Sequence, residues 1–128
     1  MSAAAQKIPG PDHPIDIQPS LDRVEVKFAG RTIAESANAL TLREASYTPV
    51  QYIPKSDVRM ELLTPTSHKT HCPYKGDASY FSIKVGDRTA ENAVWCYEQP
   101  FDAVSEIAGH LAFYPDRVDA ISVKKAGD

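Results

Sequence analysis

The chain has 128 residues, the usual size of one folded domain, and its content of 42% hydrophobic and 24% charged residues is ordinary for a globular protein. A formal net charge of −3 and dispersed basic residues argue against a nucleic-acid partner. No apolar run approaches the roughly 20 residues that span a bilayer, and the N-terminus lacks the apolar core of a secretory signal. We therefore expect a cytoplasmic protein that binds neither nucleic acid nor membrane.

Residues 1–20 contain four prolines and few large apolar side chains, which predicts an extended or flexible N-terminal arm. Ile15 and Ile17 lie on one face at a spacing of two, so this part of the arm is able to dock as an edge strand. An edge strand can pair between two chains, and this leaves a homodimer open. We expect residues 21–128 to form a single β domain.

Alternating apolar and polar residues predict strands from residue 22 onwards. Val24, Val26 and Phe28 share one face of the first strand, and Gly30 favours a hairpin turn into the next strand. A short strand is also expected at residues 50–53.

Residues 39–44 form a further predicted strand, with Leu40 and Leu42 on one face. Glu44 continues their parity and is therefore expected to point inward. A carboxylate in that position needs a partner, because an unpaired buried charge is costly. The alternative is that the strand has already ended.

The second half continues as strands at residues 78–85 and 92–97 and as a closing hairpin at residues 111–123. Ser56 and Asp102 are expected to cap two short helices, and Gly109 to end the second one. Residues 64–69 are interpreted as a polar loop. Together, these predicted elements indicate a mainly β, antiparallel domain of about eight strands with one or two short helices.

The stretch 70–76 concentrates reactive groups: a thiol, an imidazole, a phenol and an ammonium. Cys72 and His71 are neighbours and would face opposite ways in an extended chain, so a structural thiol is favoured over a nucleophile. The paired Cys and His ligands of a zinc site are absent, so we expect no metal and no cofactor.

Lys75 lies between Pro73, which restricts the backbone before it, and Gly76, which gives the backbone conformational freedom after it. A lysine in this position could bind an anionic group or act as a reactive amine. The alternative is a solvated surface lysine. There is no glycine-rich phosphate loop in the sequence.

Two further sets of residues are candidates for the same site. Glu44 and Asp57 are the candidate carboxylates for acid–base chemistry with Lys75, although Asp57 also suits a helix cap. Aromatic residues are candidates for the walls of a ligand pocket, or else for ordinary core: Tyr52, Tyr74, Trp95 and Tyr97.

Taken in order, these motifs resemble the small bacterial family called domain of unknown function 427, across about residues 22–123. The motifs that carry the resemblance are Gly30-x-x-Ile33-Ala34, Glu44, Tyr52-Ile53-Pro54-x-x-Asp57-Val58, Leu62, Thr70-x-Cys72-Pro73-Tyr74-Lys75-Gly76-x-Ala78-x-Tyr80, Ala93-x-Trp95-x-Tyr97-x-x-Pro100 and Gly109-x-x-Ala112-Phe113-Tyr114. The resemblance implies a β-tent fold of bent antiparallel sheets, similar to that of methionine sulfoxide reductases of the B type. Many proteins of that fold bind zinc through paired C-x-x-C motifs, which this chain lacks. The family has also carried a nucleotidyltransferase label.

Two functional hypotheses follow. In the first, the protein is a small-ligand pocket protein or an enzyme acting on an anionic or nucleotide-like molecule, with Lys75, Glu44 and Asp57 at a site between the sheets. In the second, it is a non-catalytic binding or scaffold module in which the same polar residues are structural clamps. The ligand itself is not identified by the sequence.

Overall fold

A computed structural model describes residues 6–125, which form ten strands and three short 3₁₀ turns. The strands are β1 (Ile15–Pro19), β2 (Asp22–Phe28), β3 (Arg31–Ser36), β4 (Leu40–Glu44), β5 (Val50–Pro54), β6 (Leu63–Cys72), β7 (Gly76–Val85), β8 (Arg88–Cys96), β9 (His110–Phe113) and β10 (Ala120–Lys125). The turns are Lys55–Asp57, Met60–Leu62 and Asp102–Ile107. The prediction of a mainly β protein is confirmed. Within residues 6–125, no helix has the length and apolar character needed to cross a membrane.

The strands form two antiparallel sheets. The large sheet has seven strands in the order β1-β4-β5-β9-β8-β7-β6, and the small sheet has three in the order β10-β2-β3. The predicted hairpin joins β2 to β3, with Ala29 and Gly30 at φ values of 53° and 77°. The predicted edge strand of the arm is β1, which pairs with β4 at one edge of the large sheet.

Strand alternation gives the large sheet two different apolar faces. In β8, Val94 and Cys96 belong to the core that packs against Val24 and Val26 of the small sheet. The intervening Trp95 belongs to a second cluster on the opposite face. Successive side chains of a strand point to opposite faces, so β5, β7, β8 and β9 contribute residues to both clusters.

The second cluster is covered by the turn Asp102–Ile107, whose Val104 and Ile107 are fully buried. The short helix expected here is this 3₁₀ turn, which is irregular at Val104 (φ −128°), and the expected cap hydrogen bond from Asp102 is absent. The turn at Lys55–Asp57 likewise lacks a side-chain cap, so the prediction for Ser56 is wrong. Gly109 has φ 71° and follows the turn Asp102–Ile107, as expected.

Two other expectations are corrected. Residues 64–69 are part of strand β6 and not a loop; β6 lies at the sheet edge, where exposure on both faces removes the apolar periodicity. The predicted closing hairpin does not form either, because β9 pairs with β5 and β8 while β10 pairs with β2 of the small sheet.

Candidate functional site

Glu44 and Lys75 form a buried ion pair. Glu44 ends β4, and Lys75 lies in the turn between β6 and β7. The Lys75 ammonium donates a hydrogen bond to Glu44 Oε1, and the two side chains are only 10% and 11% exposed. Lys75 is therefore not a solvated surface lysine. Glu44 points inward as expected, and Lys75 is the partner that its buried carboxylate needs.

The turn that carries Lys75 is fixed by its backbone. The Lys75 N–H donates to the Cys72 carbonyl at 3.2 Å, and the Lys75 carbonyl accepts from the Phe101 N–H at 3.0 Å. Gly76 follows with φ 111°, a conformation that residues with a Cβ rarely adopt. These constraints turn the lysine stem inward toward the end of β4.

His13 is a third member of the polar cluster, and the sequence did not predict it. Its Nε2 lies 2.7 Å from Glu44 Oε2, and its ring stacks on Tyr74 at a centroid distance of 4.0 Å. His13 belongs to a proline-rich segment without periodicity, 31 residues from Glu44, and so no sequence pattern linked it to the site. Tyr74 thus packs on the arm.

The ion pair lines a cavity of about 210 Å³, which we call the aromatic cavity. Predicted wall residues Tyr52, Trp95 and Tyr97 line it together with Lys75 and Glu44. Its other lining residues, drawn from five segments of the chain, are Leu42, Tyr47, Thr48, Val50, Tyr80 and Tyr114.

The aromatic cavity lies on the face of the large sheet that carries the second cluster. We expected a site between the sheets. Tyr52 and Ile53 are neighbours on β5 and point to opposite faces of the large sheet. Ile53 packs in the core beneath the small sheet, whereas Tyr52 belongs to the second cluster on the other face. Alternation within β5 therefore places the cavity away from the inter-sheet core.

Hydrogen bonds fix the cavity walls. Trp95 Nε1 donates to the Tyr52 hydroxyl at 3.2 Å, and the Tyr80 and Tyr114 hydroxyls lie 3.2 Å apart. Burial raises the pKa of Tyr52 and of Tyr97, and burial with the hydrogen bond to Tyr80 raises the pKa of Tyr114 to about 12. These phenols are therefore neutral near pH 7 and keep their O–H donors.

Two opposing effects set the charge of Glu44. Burial raises the pKa of its carboxyl group, but the hydrogen bonds from Lys75 and His13 outweigh burial and leave the pKa below the ordinary value of 4.5. Glu44 is therefore ionised near pH 7. The cavity therefore offers the Lys75 ammonium, neutral phenols and this carboxylate within one volume.

Asp57 lies elsewhere. Its Oδ2 accepts a hydrogen bond from Ser36 Oγ at 2.6 Å, and it lines a separate groove with Glu35 and Arg59. The structure thus brings Glu44 and Lys75 together but does not bring Asp57 to them.

The two cysteines of the chain and His71 are also outside the ion pair. Cys72 is partly buried, and burial raises the pKa of Cys96 to about 11. His71 Nδ1 lies 2.7 Å from Asp77 Oδ1 at the surface. Among residues 6–125, no three side chains of His, Cys, Asp or Glu form a group able to hold a metal ion.

A family model described as "Domain of unknown function (DUF427)" matches residues 16–124. The chain belongs to this family. The family's short label, NTP_transf_9, is of the nucleotidyltransferase type. No curated protein matches the chain. Glu44 and Lys75 lie inside the matched region, whereas His13 precedes it.

The lowered pKa of Glu44 predicts how acid affects stability. Because the folded-state pKa is depressed, the stabilisation from ionised Glu44 is complete above about pH 4.5 and is lost as the pH falls through the folded-state value. Glu44→Gln should therefore be less stable than wild type near pH 7, and the difference should shrink as the pH falls below about 4.5. Urea unfolding across this pH range measures it.

The matched control is Glu61→Gln, which removes a carboxylate whose side chain is 66% exposed. Its stability should follow wild type at every pH. A gap between Glu44→Gln and wild type that does not change with pH would contradict a stabilising role for the carboxylate charge.

The geometry of the Lys75 turn gives a second prediction. Gly76→Ala places a Cβ on a backbone with φ 111°, and we expect a loss of about 1–2 kcal/mol in the free energy of unfolding. Gly10→Ala is the control, because Gly10 lacks a positive φ and has open space around it; it should be neutral or slightly stabilising. Chemical denaturation of both variants provides the comparison, and equal stabilities would refute the backbone requirement.

Proposed function

We propose that the aromatic cavity binds a small anionic molecule and that Lys75 is the group that contacts its charge. One observation carries this proposal. An ammonium has three N–H donors, and among residues 6–125 Glu44 is the one side chain that accepts from Lys75. Two N–H groups of a buried cation therefore remain for a ligand in the cavity that Lys75 lines.

The size and charge of the cavity limit the ligand. A volume of about 210 Å³ is below the range of about 300–1,000 Å³ for drug-sized pockets, so it suits a small molecule or the head of a larger one. Glu44 already offsets part of the Lys75 charge. A singly charged group fits this balance better than a polyphosphate, because each added negative charge would lack a partner.

The same groups supply acid–base chemistry if the bound molecule is also a substrate. Lys75 donates hydrogen bonds to negative charge that develops on the ligand, and ionised Glu44 is an acceptor for a proton. His13 contacts the other oxygen of Glu44 and offers a route for that proton. We therefore assign Lys75 to binding and Glu44 to its positioning and to proton exchange.

The nucleotidyltransferase label receives less support from the side chains present. Nucleotidyl transfer commonly relies on carboxylates that hold Mg²⁺ against the phosphates. Glu44 is the one carboxylate that lines the aromatic cavity, and both of its oxygens already have partners. A complete nucleotide would also exceed the cavity volume.

The competing function is a non-catalytic module in which the ion pair is a clamp. The observation that favours it is that Glu44 links three segments, since its partners lie in the arm and in the turn between β6 and β7. Breaking such a link would lower stability without changing the binding of any small molecule.

A thermal-shift screen separates the two functions. Acetate, phosphate and nucleoside monophosphates are added to the full chain, and a ligand at about 100 times its Kd should raise Tm by on the order of 5–10 °C. Lys75→Met should abolish that shift. Lys84→Met, at an exposed position on β7, is the matched control and should keep it.

Lys75→Met leaves Glu44 without its cation, which itself is destabilising. The double variant Glu44→Gln, Lys75→Met removes both charges and keeps the test valid if the single variant unfolds. A ligand shift that survives in the double variant, or no shift with any anion in wild type, would favour the clamp.

A further inference from the structure

A second cavity, of about 320 Å³, adjoins the aromatic cavity, and we call it the apolar cavity. It lies between the two sheets. Val24, Val26, Ile121 and Val123 of the small sheet line one side of it, and Ile53 and Phe113 of the large sheet line the other.

The two cavities share three lining residues, Thr48, Val50 and Trp95. They are therefore neighbouring volumes with a common wall, although they belong to opposite faces of the large sheet.

A separation of strands in the large sheet explains how the two faces meet. Strands β5 and β9 pair only at Ile53 with Leu111 and Pro54 with His110. Beyond this point β9 stays paired with β8 only, and the Tyr114 N–H continues this pairing with a hydrogen bond to the Ala93 carbonyl at 2.9 Å. The sheet is thus open beside the first half of β5.

Trp95 lines both cavities. Its Nε1 donates to the Tyr52 hydroxyl, and its ring lies 4.5 Å from the ring of Tyr114, centroid to centroid. An indole has two broad apolar faces, so the same side chain is able to contact a polar group in one cavity and an alkyl chain in the other.

We propose that the two cavities together bind one amphipathic molecule, an alkyl carboxylate whose head lies at Lys75 and whose chain lies in the apolar cavity. This inference rests on the proposed function, since it assigns the head to the same ammonium. The single charge of a carboxylate suits one partly compensated lysine. The alkyl chain of the ligand suits a pocket whose walls are mostly aliphatic and aromatic side chains.

Exposure at the rim supports this assignment. Val123 lies on β10 at the apolar cavity and is 49% exposed, one of four large hydrophobic residues that are strongly exposed within residues 6–125. An alkyl chain in the cavity would cover part of this side chain and remove it from water.

The test is a titration of the full chain with straight-chain carboxylates from acetate to decanoate, followed by the fluorescence of Trp95, the single tryptophan of the sequence. Each added methylene should tighten binding by about fourfold until the apolar cavity is filled. Primary alcohols of equal length, which lack the charge, should bind more weakly than the carboxylates.

Two variants test whether the alkyl chain of the ligand lies in the apolar cavity. Val123→Glu adds a charge at the apolar cavity and should abolish the dependence of affinity on alkyl-chain length. Ala120→Glu adds the same charge to the same strand at an exposed residue outside the cavity. It should bind the whole series as wild type does.

The outcomes distinguish this inference from the proposed function. Binding of acetate that depends on Lys75 but does not tighten with chain length would overturn the amphipathic ligand and leave the anion site intact. Binding that tightens with chain length but is unchanged in Lys75→Met would overturn both, because the head would not be at Lys75. Equal chain-length dependence in Val123→Glu and Ala120→Glu would also overturn the inference.

Discussion

The buried contact between Lys75 and Glu44 is the interaction on which the candidate site depends. Removing a charge from water costs several kcal/mol, and the attraction between the partners compensates only with good geometry and further hydrogen bonds. Here Glu44 also bonds to His13, and the Lys75 turn is fixed through backbone hydrogen bonds to Cys72 and Phe101. The pair thus positions a cation inside an aromatic cavity and, at the same time, holds the arm and β4 against the turn.

The large sheet allows this polar group to coexist with a normal core. Its inner face packs against the small sheet, while its outer face carries the phenols and Trp95. Hydrogen bonds join Trp95 to Tyr52 and Tyr80 to Tyr114, and among the described residues no buried side-chain nitrogen or oxygen lacks a partner. The separation of β5 from β9 then brings the polar face close to the apolar interior.

Much of this arrangement was predictable from local sequence patterns. Period-two alternation located most strands, and the parity of Glu44 with Leu40 and Leu42 placed its carboxylate inward. Patterns of this kind cannot assign strand partners, so the pairing of β10 with β2 was missed. They also fail for edge strands such as β6, which lack a buried face.

The site was predictable only where its residues lie on patterned strands. Tyr52, Trp95 and Tyr97 alternate with core residues and were identified as candidate walls. His13 reaches Glu44 from the proline-rich arm, and Asp57 is held in another groove by Ser36. Both outcomes depend on tertiary contacts between distant segments, which no local spacing encodes. The proposed function requires that the buried Lys75 ammonium, which donates one hydrogen bond to Glu44, also binds an anion. Its most direct test is an NMR titration of the lysine side-chain ¹H–¹⁵N signals with acetate. The account predicts that the Lys75 signal shifts saturably while those of exposed lysines do not; a Lys75 signal that stays unchanged at saturating acetate would contradict it.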